Sequence, residues 1–194
     1  MPRVVDHEER RREIAQAVWS LIARRGIEGV SLRTVAAEAG VSVGRIQHYF
    51  ATKDALLQHS CAVMLADAGA AFGAQVRALT PAQTLSALVL RAVPTTEGFA
   101  VGTVVWSAFV LKSRDDEVIA AHVRRAHDEG VAVAADCIDR GRALGELAPG
   151  PPADELALRL LATAEGYALR VLAGSLPAQA ALRALRAELA GLRV

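Results

Sequence analysis

Arg45, Gln47, His48 and Tyr49 crowd into five positions, and Lys53 follows one helical turn later. Their chemistry is recognition, carried by hydrogen-bond donors, acceptors and fixed cations. Gln47 can donate to and accept from adenine, and Arg45 can donate to the two acceptor atoms of guanine. A good bidentate contact of this kind contributes about 1–3 kcal/mol of discrimination between bases. His48 suits either a base or a phosphate. Tyr49, Lys53, Ser42 and Thr34 suit phosphates, which set register without reading sequence, and Arg33 is a further backbone candidate. Val43 and Gly44 are apolar or bare and permit close approach, for example toward a thymine methyl. His48 and Tyr49 also have a plainer reading, as packing against the next helix.

Two short helices must hold these side chains. Ser31 caps the first, in which Leu32, Val35, Ala36 and Ala39 share one face. Gly40 stands where a helix ends on a left-handed residue, a conformation glycine adopts at little steric cost. Ser42 caps the second helix, about Val43 to Tyr49, and Ile46 points back at the first. Small Ala36, turn-forming Gly40 and aliphatic Ile46 make a helix-turn-helix spacing. An Ala-rich helix pair with a glycine turn is not unique to DNA binders, so the flanks matter. A helix from about Asp6 to Arg25 precedes the pair, with Ile14, Val18, Leu21 and Ile22 inward and Trp19 covering the small core.

The strings GVSVGRIQHYF and TKDALL, with the lead GIEGVSL, resemble the amino-terminal domain of the tetracycline-repressor (TetR) family. The resemblance covers roughly the first third of the chain. Where many members carry a recognition-helix tyrosine this chain has Gln47, and the Q-H-Y-F string is more similar to the BetI-like branch. The resemblance implies a dimer on double-stranded DNA at a palindromic operator, with half-sites about 34–36 Å apart or a multiple of that. It also implies a small-molecule effector held by the rest of the chain.

The 194 residues are 53% hydrophobic and show helical periodicity nearly throughout. The expected fold is all-α with about nine helices. Residues 1–52 would form a three-helix DNA-binding domain with the helix-turn-helix, and residues 53–194 a larger ligand-binding and dimerisation domain. No run of about twenty uncharged apolar residues suggests a membrane span. The first residues lack the apolar core of a signal peptide, which points to the cytoplasm. Cys61 and Cys137 have no metal-like spacing and read as buried thiols. No metal or cofactor is expected. Net charge is only +1, but residues 1–60 hold nine Lys/Arg against seven Asp/Glu, and the remainder thirteen against fourteen. DNA affinity must therefore come from placement more than from bulk charge. Arg3, Arg10, Arg11 and Arg12 of the amino-terminal arm can lie against phosphates or be a solvated helix start.

Beyond residue 53 a long helix reaches about Leu79. Thr80-Pro81-Ala82-Gln83 is a capping-box start, and that helix ends by Pro94. Phe99 to Lys112 is strongly apolar, Ser113 caps the next helix with Asp115, Asp116 and Glu117 in its first turn, and LAPGPP (147–152) is a loop. Met64, Leu65, Phe72, Phe99, Trp106, Phe109 and Val110 form an apolar set with few polar companions, His127 among them. They are either core or, where the resemblance implies a pocket, contacts for a hydrophobic or amphipathic effector. His122 and His127 lie about 140° apart around a helix and do not readily share a metal. In the last two helices Leu156, Leu160, Thr163, Tyr167 and Val171, with Leu182, Leu185 and Leu189, recur at helical spacing. The resemblance implies a four-helix dimer interface there; packing within the subunit is the alternative.

No Gly-rich phosphate loop, G-x-S-x-G nucleophile motif or metal cluster supports an enzyme. A ligand- or partner-binding helical dimer without sequence-specific DNA binding is the remaining competitor.

Overall fold

Side-chain caps fix where the short helices begin. A computed structural model describes the backbone of residues 3–194 and the side chains from His7 onward. Arg3, expected at DNA, lies with its side chain outside the described residues. Among the described residues run nine α-helices: α1 Arg3–Arg25, α2 Leu32–Glu38, α3 Val43–Tyr49, α4 Lys53–Val76, α5 Pro81–Leu90, α6 Glu97–Lys112, α7 Glu117–Ala143, α8 Ala153–Leu172 and α9 Ala178–Ala190. A 3-10 turn, Ile27–Gly29, joins α1 to α2. The fold is all-α, as the periodicity predicts.

The caps behave as expected with one exception. At α5, Thr80 Oγ1 accepts from the Gln83 amide while Gln83 Oε1 accepts from the Thr80 amide, closing the box. At α7 the cap is Asp116, not Ser113. Asp116 Oδ1 accepts from the amides of Val118 and Ile119, whereas the Ser113 hydroxyl donates to the Val110 carbonyl. A carboxylate at a helix start gains from the exposed amides and the dipole together.

The chain divides into two compact units. The first comprises residues up to Gly69 with Val104–Val123, and the second Ala70–Thr103 with Arg124–Val194. The first unit closes around Ile14, Val18, Leu21 and Ile22 of α1, Val35 and Ala36 of α2, Ile46 and Phe50, and Leu56, Leu57 and Cys61 of α4. Val105 and Phe109 of α6 with Ile119 and Val123 of α7 complete that core. Trp19 covers the edge, and its Nε1 donates to the Ser60 carbonyl at 3.1 Å. One helix, α4, is long and apolar enough to cross a membrane by length and composition, against the expectation of none. Its first half contributes Leu56, Leu57, Ser60 and Cys61 to the buried residues.

The second unit closes around Leu85 and Val89 of α5, Ala134 and Ile138 of α7, Leu156, Leu160 and Ala164 of α8, and Leu182, Leu185 and Leu189 of α9. Gly141 allows a close approach here: a Cβ on it would stand 2.8 Å from Leu147 Cδ1, so a larger residue would displace that side chain. Glu146 accepts from the Thr80 hydroxyl and the Ala82 amide, both at 2.9 Å, tying the α7–α8 connection to the start of α5.

This core takes up most of the expected dimer stripe. Leu156, Leu160, Leu182, Leu185 and Leu189 are buried within the subunit, and Thr163, Tyr167 and Val171 are half-buried beside them. A residue spent on its own core has no surface for a second chain. Helix α8 instead leaves Leu158 and Leu169 59% and 56% exposed, with Ala162 and Gly166 exposed between them. Spacings of four, four and three residues place these on one face. The sequence pattern could not rank the two stripes, because both are apolar and both repeat every three to four residues. Both cysteines are free and buried.

Candidate nucleic-acid interface

The reading helix is built outward from one buried residue. Ile46 is fully buried between α2 and α1, while Val43, Gly44, Arg45, Gln47 and His48 around it are exposed. Gly40 makes the turn with φ 65°, and the Val41 amide bonds back to the Ala36 carbonyl at 3.0 Å. Ser42 caps α3, its Oγ accepting from the Arg45 amide at 3.2 Å. At the other end Phe50, 2% exposed, anchors the chain before Thr52 Oγ1 caps α4 by accepting from the Ala55 amide. A seven-residue helix is too short to hold itself in water, so these fixings and the burial of Ile46 set its conformation. No atom lies within 4 Å of a Cβ built on Gly44, so that part of the surface is open.

The expected contact residues divide by what else they do. Arg33, Ser42, Val43, Gly44, Arg45, Gln47 and His48 are exposed. Lys53 starts α4, and its Nζ lies 4.0 Å from a Glu28 carboxylate oxygen. An exposed pair of that length contributes on the order of 0–1 kcal/mol, little to overcome if a phosphate competes. Thr34 differs. Its hydroxyl accepts from the Ser31 amide at 2.8 Å and donates toward the Gly29 carbonyl at 3.0 Å, so it is committed to the start of α2. Tyr49 is half-buried, its ring 4.7 Å from that of His7 and 5.2 Å from that of His48.

Sequence reasoning missed the supports. The Arg11 guanidinium lies over the Phe50 ring at 4.7 Å, and an Arg11 nitrogen is 3.1 Å from His59 Nδ1. Arginine only donates, so Nδ1 accepts and the proton sits on Nε2, which is buried without a partner. Burial, and secondarily the Arg11 charge, push the His59 pKa below its ordinary value. On α2, Glu38 accepts from the Ser20 hydroxyl and pairs with Arg24. The Ser20 bond, then Arg24, hold its carboxyl below the usual range. A cavity of about 360 Å3 opens beside it, lined by Arg10, Glu13, Ile14, Gln16, Ala17, Ser20, Glu38, Ala39 and Val41.

The expected effector contacts do not all survive as surface. Phe109 is fully buried in the first unit's core, and Met64, Trp106 and Val110 pack half-buried against it. In the second unit Phe72 lies under the Arg91 guanidinium at 4.8 Å, and Phe99 is 54% exposed. His127 Nε2 is 3.6 Å from a Glu165 oxygen. Among the described residues no group of three or more His, Cys, Asp or Glu gathers as a metal site.

Residues 14–59 match the family described as "Bacterial regulatory proteins, tetR family". Residues 81–194 match "BetI-type transcriptional repressor, C-terminal". The chain belongs to the TetR family. Its similarity to the regulator BetI of Burkholderia ambifaria is 31% identity over 149 residues, 74% of this chain and 77% of that protein. The regulator PksA of Bacillus subtilis is 39% identical over 115 residues, spanning 59% of this chain and only 56% of PksA. Among solved structures, a transcriptional regulator of Saccharomonospora viridis in complex with choline superposes with TM-score 0.85 at 28% identity, covering 95% of each chain. A TetR-family regulator from Rhodococcus sp. matches with TM-score 0.81 at 23% identity over 96% of this chain and all of that one, which speaks to fold alone. TetR-family proteins such as these are transcriptional regulators and not enzymes, and the exposed row on α3 lies within the matched residues 14–59.

Proposed function

We propose that the protein is a ligand-responsive repressor that binds a palindromic operator as a homodimer and leaves it when a small, largely apolar effector binds. The observation that carries the DNA-binding part is the α3 surface, where Arg45, Gln47 and His48 stand exposed around buried Ile46. Arg45 and Gln47 read guanine and adenine, while Ser42, Tyr49, Lys53 and Arg33 engage phosphates. One short helix contacts few base pairs, and two-fold pairing doubles the site. The exposed Leu158, Ala162, Gly166 and Leu169 face of α8 is the surface we assign to the second copy. Operator binding places the protein with the chromosome, in the cytoplasm.

The effector reading draws on the BetI-type match over residues 81–194 and on the choline held by the S. viridis protein. Choline is therefore the first compound to titrate, followed by neutral amphipathic ones, by calorimetry. Coupling of about 1–3 kcal/mol would lower operator affinity roughly 5–150-fold, and operator would weaken effector binding by the same factor. An effector that binds free and operator-bound protein equally would overturn this mechanism.

The decisive experiment is selection of bound duplexes from a random pool, repeated with Gln47→Ala. A palindrome that loses definition at one symmetric position in the variant supports the reading. No enrichment by the unaltered protein would favour a ligand- or partner-binding dimer instead.

A further inference from the structure

Tyr49 stands between two imidazoles. On one side the His7 ring of α1 lies 4.7 Å away, tilted at 54°. On the other the His48 ring meets it edge-on at 5.2 Å and 79°. These separations and angles lie in the range that favours ring pairs. His7 and Arg11 are one helical turn apart, so they share a face of α1. That face grips consecutive ring residues, Tyr49 through His7 and Phe50 through Arg11. Tyr49 is half-buried and His48 exposed. An exposed imidazole on a helix end otherwise samples several rotamers, and ordering it on a base would cost conformational entropy.

We infer that His7 is a positioning residue of the DNA-binding surface: through Tyr49 it holds the His48 imidazole in one orientation, so that His48 reads a base. This rests on the DNA-reading function proposed for α3. His7 thereby acts indirectly, beside whatever contacts the arginines of the amino-terminal arm make. Tyr49 is the spacer of the ladder, whatever its hydroxyl touches.

The test is duplex selection with the unaltered chain, His7→Ala, His7→Phe and His48→Ala, each checked for an unchanged thermal melt. Gel-shift affinities are then measured on the selected operator. His48→Ala identifies the base position that His48 reads. His7→Ala is expected to blur that same position while leaving the positions read by Arg45 and Gln47 sharp, with an affinity loss of about 2- to 10-fold, the size of one ring contact. His7→Phe, which keeps a ring and loses the ring nitrogens, restores definition. In the His48→Ala background, His7→Ala has no further effect. Uniform weakening at all positions without rescue by phenylalanine would mean a direct phosphate contact by His7 and overturn the inference. So would a sharp His48 position in His7→Ala. If the unaltered chain enriches no sequence, the DNA-reading function itself fails, an outcome distinct from both.

Discussion

Helices α3 and α8 each turn one side inward and one outward, but the sides differ in kind. On α3 the inner side is essentially Ile46, and the outer side carries Arg45, Gln47 and His48. On α8 the inner side is Leu156, Leu160 and Ala164, and the outer side is again apolar, with Leu158, Ala162 and Leu169. Contrast between faces identifies what a helix does with its free side. A polar outer face on a small helix serves a hydrated, charged partner, whereas an apolar outer face calls for another apolar surface.

The largest expected effects break the inner sides. Ile46→Ala and Leu160→Ala should each cost about 2–5 kcal/mol, since both residues are fully buried. Circular-dichroism melts with hydrogen exchange would then localise the loss to the first unit in one variant and the second unit in the other. If Leu160→Ala instead left folding intact and only split a dimer, the assignment of faces on α8 would be reversed.

Next come the outer sides. Leu169→Asp should yield monomer in sedimentation velocity while the melt of the isolated subunit stays within about 0.5 kcal/mol, as for ordinary surface changes. Gln47→Ala should leave both folding and assembly alone. It should lose about 1–3 kcal/mol of discrimination at one symmetric base position, measured by competition between matched and mismatched duplexes. Equal loss at all positions would move Gln47 from base to phosphate.

A smaller effect comes from His59. Its folded pKa lies below the ordinary value because of burial, so the unfolded chain binds more protons at mildly acidic pH. The stabilising difference is present above about pH 6.5 and is lost as pH falls below it. The protonated ring would face the Arg11 guanidinium with two donors. The melt of the first unit is expected to drop between pH 7 and 5, and less so in His59→Phe. An equal slope in both proteins would remove His59 from the account.

Much of α1 to α4 was legible because each local signal stood alone: Ser31, Gly40 and Ser42 as punctuation, and Ile46 as the aliphatic in the middle of an otherwise mostly polar helix. The ladder from His7 through Tyr49 to His48 was not, because it joins residues some forty positions apart. Nothing in the spacing of α1 marks His7 as different from its neighbours. Thr34 is ambiguous for a related reason. A hydroxyl at the third position of a helix closes a capping box as readily as it meets a phosphate. In α8 and α9 two apolar stripes of equal period carry no label for inside, so the period alone does not say which of them the subunit buries. The sequence leaves Phe109 open between core and effector contact because its helix is apolar all round, and such a helix does not say which aromatic is closed off.

Trp19 and Trp106, the two tryptophans of the chain, both belong to the first unit. Intrinsic fluorescence is therefore a one-sided instrument for this protein. A denaturation curve followed by tryptophan emission reports the first unit, and far-ultraviolet ellipticity reports both. Trp19 hydrogen-bonds across to the Ser60 carbonyl of α4, so its spectrum will shift as soon as α1 parts from α4. Comparing the two signals in one titration separates the order in which the units come apart, with no label attached.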